Sequence, residues 1–367
     1  MTESDPRAWS KGVWPDHPHE EVIEPEFPII DPHHHVRDRG GGLRFPFPDK
    51  LADIGFRYLL PEFLADIYSG HNIIATVAIE ENDMYREDGP RSLAPVGETE
   101  FLNGIAAMFA SGKYGPTRAC AAIVGAADLM LGERVQDVLE AHINAGGGRF
   151  RGIRCRTAWD KTFSSDRFEP DFFKSAPEML GNSDFRRGVA CLARNKLSLD
   201  VHIFHSQLPE LTDLAKAFPD TTIILNHYGI PMGVQGYAGK QAEVFAYWRP
   251  QIFKLAQLAN VYVKFGSIKW ANLPIPGYDP KARKSTPTSE EFAKAWGPYV
   301  ETCVEAFGAS RCMCESNFPP EKMQHSYVVL WNTFKRITAQ YSKSERASLL
   351  RETAAKAYRL PQFSRPA

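Results

Sequence analysis

The densest chemistry in the chain is Asp31-Pro32-His33-His34-His35, where three consecutive histidines close a short apolar run. Successive strand side chains point to opposite faces, so His33 and His35 share a face, with Asp31 below them. Two imidazoles about 6–7 Å apart along a strand can chelate one divalent cation. His34 points the other way and reads as a packed or hydrogen-bonded residue. His202 ends a later run, with Asp200 two residues before it, and His227 ends another, just before Tyr228-Gly229. One strand-end histidine suits a satisfied core position. Four on one rim are harder to place there, because buried imidazoles need partners.

Arg151, Arg154 and Arg156 crowd the run 150–156, with Arg154 and Arg156 on a shared face. An arginine inside a fold needs an anionic partner. That partner is either a nearby Asp or Glu, or a substrate carboxylate held by paired hydrogen bonds. The sequence leaves both open. Lys264 is a further candidate of the same kind. In Arg311-Cys312-Met313-Cys314-Glu315-Ser316-Asn317-Phe318-Pro319, parity places Glu315 and Asn317 on one face and both cysteines on the other. Cys312 and Cys314 therefore read as packing residues. His17, His19, His71, His142, His205 and His325 fall off strand ends or off parity and read as surface or packing residues.

The elements that must position these groups follow a rhythm. Short Ile- and Val-rich runs occur at 28–35, 72–80, 117–127, 150–156, 197–203, 221–227, 260–267 and 311–317. Such runs bounded by loops read as buried parallel strands. Helical patterns lie between them, as at 98–111, 131–145, 184–195, 208–218 and 289–307. Thr288–Glu291 and Ser342–Glu345 have the form of capping boxes, and Gly146-Gly147-Gly148 stops a helix. Strands alternating with helices predict an α/β fold, a single-domain (β/α)8 TIM barrel over residues 28–367. Residues 1–27 read as an N-terminal arm, packed on the surface or flexible. No G-x-G-x-x-G follows the first strand, against a dinucleotide-binding sheet. Long connections at 157–182, 228–247 and 268–288 follow strands, and in a barrel such loops form the mouth of the active site.

Composition narrows the class further. The 367 residues carry 43 Lys+Arg and 44 Asp+Glu, a formal net charge of -1, with 43% hydrophobic residues. This excludes a disordered or collagenous chain and argues against nucleic acid as the main partner. The six cysteines form no C-x-x-C pair and fit reduced thiols. The polar start and the lack of any run near 20 apolar residues predict a cytoplasmic protein without a membrane partner. A homo-oligomer is compatible with the sequence.

Together, Asp31-Pro32-His33-His34-His35, His202, Asn226-His227-Tyr228-Gly229 and Ser316-Asn317-Phe318-Pro319 resemble the amidohydrolase superfamily. The resemblance runs from about residue 28 to the C-terminus. It is greatest to the amidohydrolase-related branch that contains the sugar lactonases and the pyrone-dicarboxylate lactonases. It implies one or two metals at the barrel mouth, or none in some lactonases, with His33, His35 and His202 binding metal or substrate. The eighth-strand Asp that acts as base in that family is replaced by Asn317, whose amide cannot take a proton from water. Glu315 or a histidine then takes the role. The fourth-strand Lys or Glu of two-metal members is also missing, which favours at most one metal. The expected cofactor is one divalent cation, Zn2+, on His33, His35, His202 and Glu315. Glu315, His227 and Asn317 are the candidate catalytic residues, and Arg154, Arg156, Lys264 and Tyr228 would hold a small carboxylated substrate. The expected reaction is hydrolysis of a carboxylated lactone or ester. The alternatives are a decarboxylase or carbon–carbon lyase acting on an aromatic or muconate-type acid, and a non-catalytic barrel that binds a small acid.

Overall fold

Each of the eight apolar runs forms a strand in the computed structural model, which describes residues 17–38, 57–162, 175–271, 273–276, 278 and 286–363. The strands are β1 (Pro28–His34), β2 (Asn72–Ile79), β3 (Arg118–Gly125), β4 (Phe150–Arg156), β5 (Ser198–His202), β6 (Ile223–Leu225), β7 (Val261–Phe265) and β8 (Cys312–Cys314). They pair in parallel in chain order, forming one eight-stranded sheet. The sheet closes where Asn317 donates its amide to His33 O and His35 donates its amide to Phe318 O, both at 2.8 Å. The chain is therefore a (β/α)8 barrel. The expectations for residues 1–16, for 163–174 of the connection 157–182, for 272, 277 and 279–285 of the connection 268–288, and for 364–367 lie outside the described residues.

A helix follows each strand: α1 (Leu60–Ile67), α2 (Val96–Ala110), α3 (Val135–Ala145), α4 (Ser183–Arg194), α5 (Leu208–Ala217), α6 (Gln241–Ala256), α7 (Ser289–Phe307) and α8 (Tyr327–Thr338). α4 shows why they dock: Phe185, Val189 and Leu192 recur at helical spacing and are fully buried. Burying each such side chain stabilises by about 1.5–3 kcal/mol. α7 opens with a capping box, Thr288 N donating to Glu291 Oε2 at 2.8 Å. Ser342 and Glu345 form a second. Among the described residues, no helix is long and apolar enough to cross a membrane.

The floor of the barrel is apolar. Ile30, Val77, Val124, Ile224, Tyr262 and Met313 fill it, and Tyr358 of the C-terminal segment plugs it from below. Segment 17–27 lies against α7 and α8. Glu20 accepts from Ser289 N at 2.7 Å, and the Lys335 ammonium donates to Ile23 O and Glu24 O at 2.7 and 2.8 Å.

Two local irregularities decide what reaches the mouth. The β1–β2 register shifts between Asp31 and His34, at Pro32, which has no N–H to continue the ladder. Asp31 consequently faces the helices, accepting from Tyr327 Oη at 2.9 Å, while His33 turns inward. This corrects the parity reading that set Asp31 beneath the two histidines. β6 stops at Leu225, and His227 and Tyr228 take positive φ of 54° and 59°. That reversal turns His227 into the mouth directly after the inward Asn226, and sends Tyr228 outward.

Candidate active site

Four strand ends converge on Glu315. Its Oε1 lies 2.6 Å from His227 Nδ1, and its Oε2 lies 2.7 Å from His33 Nδ1. The first contact is an aligned hydrogen bond, and the second is a close approach off the ring N–H direction. The His33 ring stands 4.8 Å from His227 and 4.9 Å from His35, and the His202 ring lies 5.7 Å from His227. Gly266, two residues beyond Lys264, makes room. A Cβ there would lie 2.5 Å from Glu315 Cγ.

Lys264 is fully buried beneath this group. Its Nζ donates to Asp200 Oδ1 at 2.8 Å and lies 3.3 Å from His33 Nδ1. Asp200 also accepts from Asn226 Nδ2 and Tyr358 Oη. On the other side, Glu80 at the end of β2 accepts from Arg154 Nε at 2.6 Å and Arg156 Nε at 3.1 Å. Arg154 Nη2 donates to Glu80 O, and its Nη1 lies 3.3 Å from His33 Nε2. All three nitrogens of Arg154 are thereby engaged within the protein.

His35 and Asn317 form a separate corner. His35 Nδ1 lies 2.8 Å from Ile79 O, and its Nε2 lies 3.0 Å from Asn317 Oδ1 and 3.1 Å from Glu81 Oε2. Asn317 Nδ2 donates to Glu321 Oε1 at 3.3 Å. An imidazole anchored to a carbonyl through one nitrogen presents the other to whatever occupies the mouth.

Burial governs the protonation states. It lowers His33, His202 and His227 well below the ordinary histidine value, helped at His33 by Lys264 and at His227 by Arg154. It raises Glu315 to about 8, against the opposing pull of Lys264. The imidazoles are thus neutral at physiological pH and offer lone pairs.

The donor set fits a divalent cation. One nitrogen from each of His33 and His227 and one Glu315 oxygen lie within 4.8 Å of one another. Ligands about 2.1 Å from one ion sit up to about 4 Å apart, so small rotations suffice. His202 Nδ1 is buried beside them with no hydrogen-bond partner among the described residues. The compact set differs from the sequence expectation: His227 joins His33 and Glu315 in it, while His35 and His202 flank it.

Tyr228 does not join the group. Its ring stacks on Phe265 at 5.3 Å in the core between barrel and helices. His34 stacks on Phe63 and contacts Thr76, and Cys312 and Cys314 pack in the same outer core. Sequence reasoning missed Glu80, Glu81, Gly266 and Glu321. The signal for the first two was present, since two carboxylates end the second apolar run as histidines end the first, fifth and sixth. Glu321 stands one turn beyond Asn317.

A polar mouth over an apolar floor, with histidines on strands one, five and six, defines a barrel enzyme site. The sequence profile of the amidohydrolase family matches residues 30–360, and the chain belongs to that family. It is 34% identical over 344 residues to uncharacterized protein y4mH of Sinorhizobium fredii, covering 90% of this chain and 98% of that one. It is 25% identical over 338 residues to L-fucono-1,5-lactonase of Burkholderia multivorans, covering 91% and 96%. A crystal structure of a Burkholderia multivorans amidohydrolase with bound Zn superposes with a TM-score of 0.66 at 24% identity, covering 91% and 100%.

Proposed function

We propose that the chain hydrolyses the ring ester of a small lactone at the centre formed by His33, His227 and Glu315. The observation that carries this reading is the convergence of their donor atoms within 4.8 Å at the mouth. The likeness to L-fucono-1,5-lactonase supports a lactone as the substrate.

A divalent cation held by His33, His227 and Glu315 would polarise the ring carbonyl and ease ionisation of the attacking water. The chain's own groups do the rest. Glu315 fixes the His227 tautomer through Nδ1. His202, kept neutral by burial, offers a Nδ1 with no hydrogen-bond partner among the described residues, suited to accept a hydrogen bond from the attacking water and orient it. Asn317, held by Glu321, orients substrate without exchanging a proton. Lys264 and Arg154 approach His33 from two sides and fix its ring.

Asn317 favours one second reading. With an amide where the related enzymes carry their base, the same centre suits loss of CO2 from a bound acid. A screen of lactones and aromatic acids that follows both acid release and CO2 release separates the two. Ring opening without CO2 supports hydrolysis, CO2 without ring opening supports the lyase, and ligand binding without either supports a non-catalytic barrel.

A further inference from the structure

We infer that Glu80 is a specificity residue: it occupies, from within the chain, the place a substrate carboxylate would take on Arg154 and Arg156, so the pocket selects an uncharged lactone. This deepens the lactone reading and rests on it.

The geometry is that of an internal ligand. Glu80 Oε1 accepts from Arg154 Nε and Arg156 Nε, and its Oε2 accepts from Arg156 Nη2 at 3.4 Å and Asn82 N at 3.2 Å. Paired guanidinium contacts to both oxygens are how an arginine site grips a bound carboxylate. Here the carboxylate is tethered to β2 and buried. Burial pushes the Glu80 carboxyl up, but Arg154 and Arg156 overcome this and hold it below the usual range, so it stays ionised. Glu81 adds a second negative charge, 3.6 and 3.7 Å from the same two arginines and 3.4 Å from Arg37.

Among the described residues, the other cations at the mouth are matched in the same way: Arg37 faces Glu81, Lys264 faces Asp200 and Lys269 faces Glu321. A substrate anion entering beside Arg154 would meet guanidinium donors already used and two carboxylates nearby. Like charges in a desolvated site repel strongly, and an arginine whose hydrogen bonds are made gains little from another acceptor. An uncharged ring ester meets no such barrier.

Exchange of Glu80→Gln keeps the shape and removes the charge. The test titrates wild type and Glu80→Gln calorimetrically with pyridine-2,4-dicarboxylate. In parallel it compares kcat/KM for an uncharged aldonolactone and a carboxylated lactone. Expected is weak dicarboxylate binding by wild type and binding tighter by about tenfold or more in Glu80→Gln, with the kcat/KM preference for the uncharged lactone falling by a similar factor. Tight dicarboxylate binding by wild type, unchanged in a folded Glu80→Gln protein, would overturn the assignment. Should Glu80→Gln not fold, Glu81→Gln, beside the same arginines and more exposed, is expected to shift both readings the same way, and no shift there overturns it equally. If neither lactone is turned over, the lactone reading fails while the calorimetric comparison still decides the role of Glu80.

Discussion

Glu315 and His227 are joined at 2.6 Å across the barrel mouth, and the other Glu315 oxygen reaches His33 at 2.7 Å. One carboxylate thus spans two imidazoles that lie far apart in the chain. A Glu315→Gln exchange keeps the size and puts an amide group where a lone pair is needed. Purified wild type is expected to bind about one equivalent of Zn2+ per chain, with affinity at least about 100-fold lower in Glu315→Gln. Metal analysis after dialysis checks this, and equal retention by both proteins would remove Glu315 from the donor set.

Gly266 leaves space for that carboxylate. A methyl group there would press on Glu315 Cγ at 2.5 Å and on Oε1 at 2.8 Å. Overpacking of this kind costs about 1–3 kcal/mol. Gly266→Ala is expected to fold with a modestly lower Tm and to lose turnover out of proportion to that loss. Comparable Tm and unchanged kcat would show that Glu315 can move away harmlessly.

Placing at 317 the carboxylate that the family resemblance implies is not expected to improve turnover. Asn317→Asp would set an anion about 3 Å from Glu321, where Asn317 Nδ2 now donates. The single exchange should lower kcat/KM, and Asn317→Asp with Glu321→Gln should recover part of it. A double-mutant cycle measures this coupling, and additive effects would contradict it.

Lys335 supplies a pH signature remote from the mouth. Burial lowers its ammonium from 10.5 to about 8, while its Nζ reaches Ile23 O, Glu24 O and His71 Nδ1. Between those two values the unfolded chain holds more protons than the folded one, so this group makes stability rise with pH through that window and leaves it level below. The Tm of wild type relative to Lys335→Met should therefore climb from pH 8 towards pH 10.5. A relative fall would mean that the folded protein favours the charged ammonium.

The barrel was legible because its signal is periodic. Apolar runs recur eight times with helical patterns between them, and the run at 150–156 coincides with β4. Parity also placed Glu315 and Asn317 on the mouth side beyond β8, although the strand ends at Cys314 and Asn317 takes a positive φ of 50°. It failed where the backbone leaves strand geometry. Pro32 interrupts the ladder and sends Asp31 to Tyr327, and the positive φ at His227 and Tyr228 brings His227 to the mouth, as expected, but turns Tyr228 away from it. Neither break follows from residue type alone. The interior arginines posed a different problem. Arg154 and Arg156 announced a need for an anion, but only the fold shows that Glu80, more than 70 residues earlier, meets it.

The most direct measurement of the central claim is acid release from an aldonolactone, followed by pH-stat with wild type and with Glu315→Gln at equal metal and matched Tm. The account predicts ring opening by wild type and a rate lower by about 1000-fold or more in the variant. Equal rates for the two proteins would contradict it.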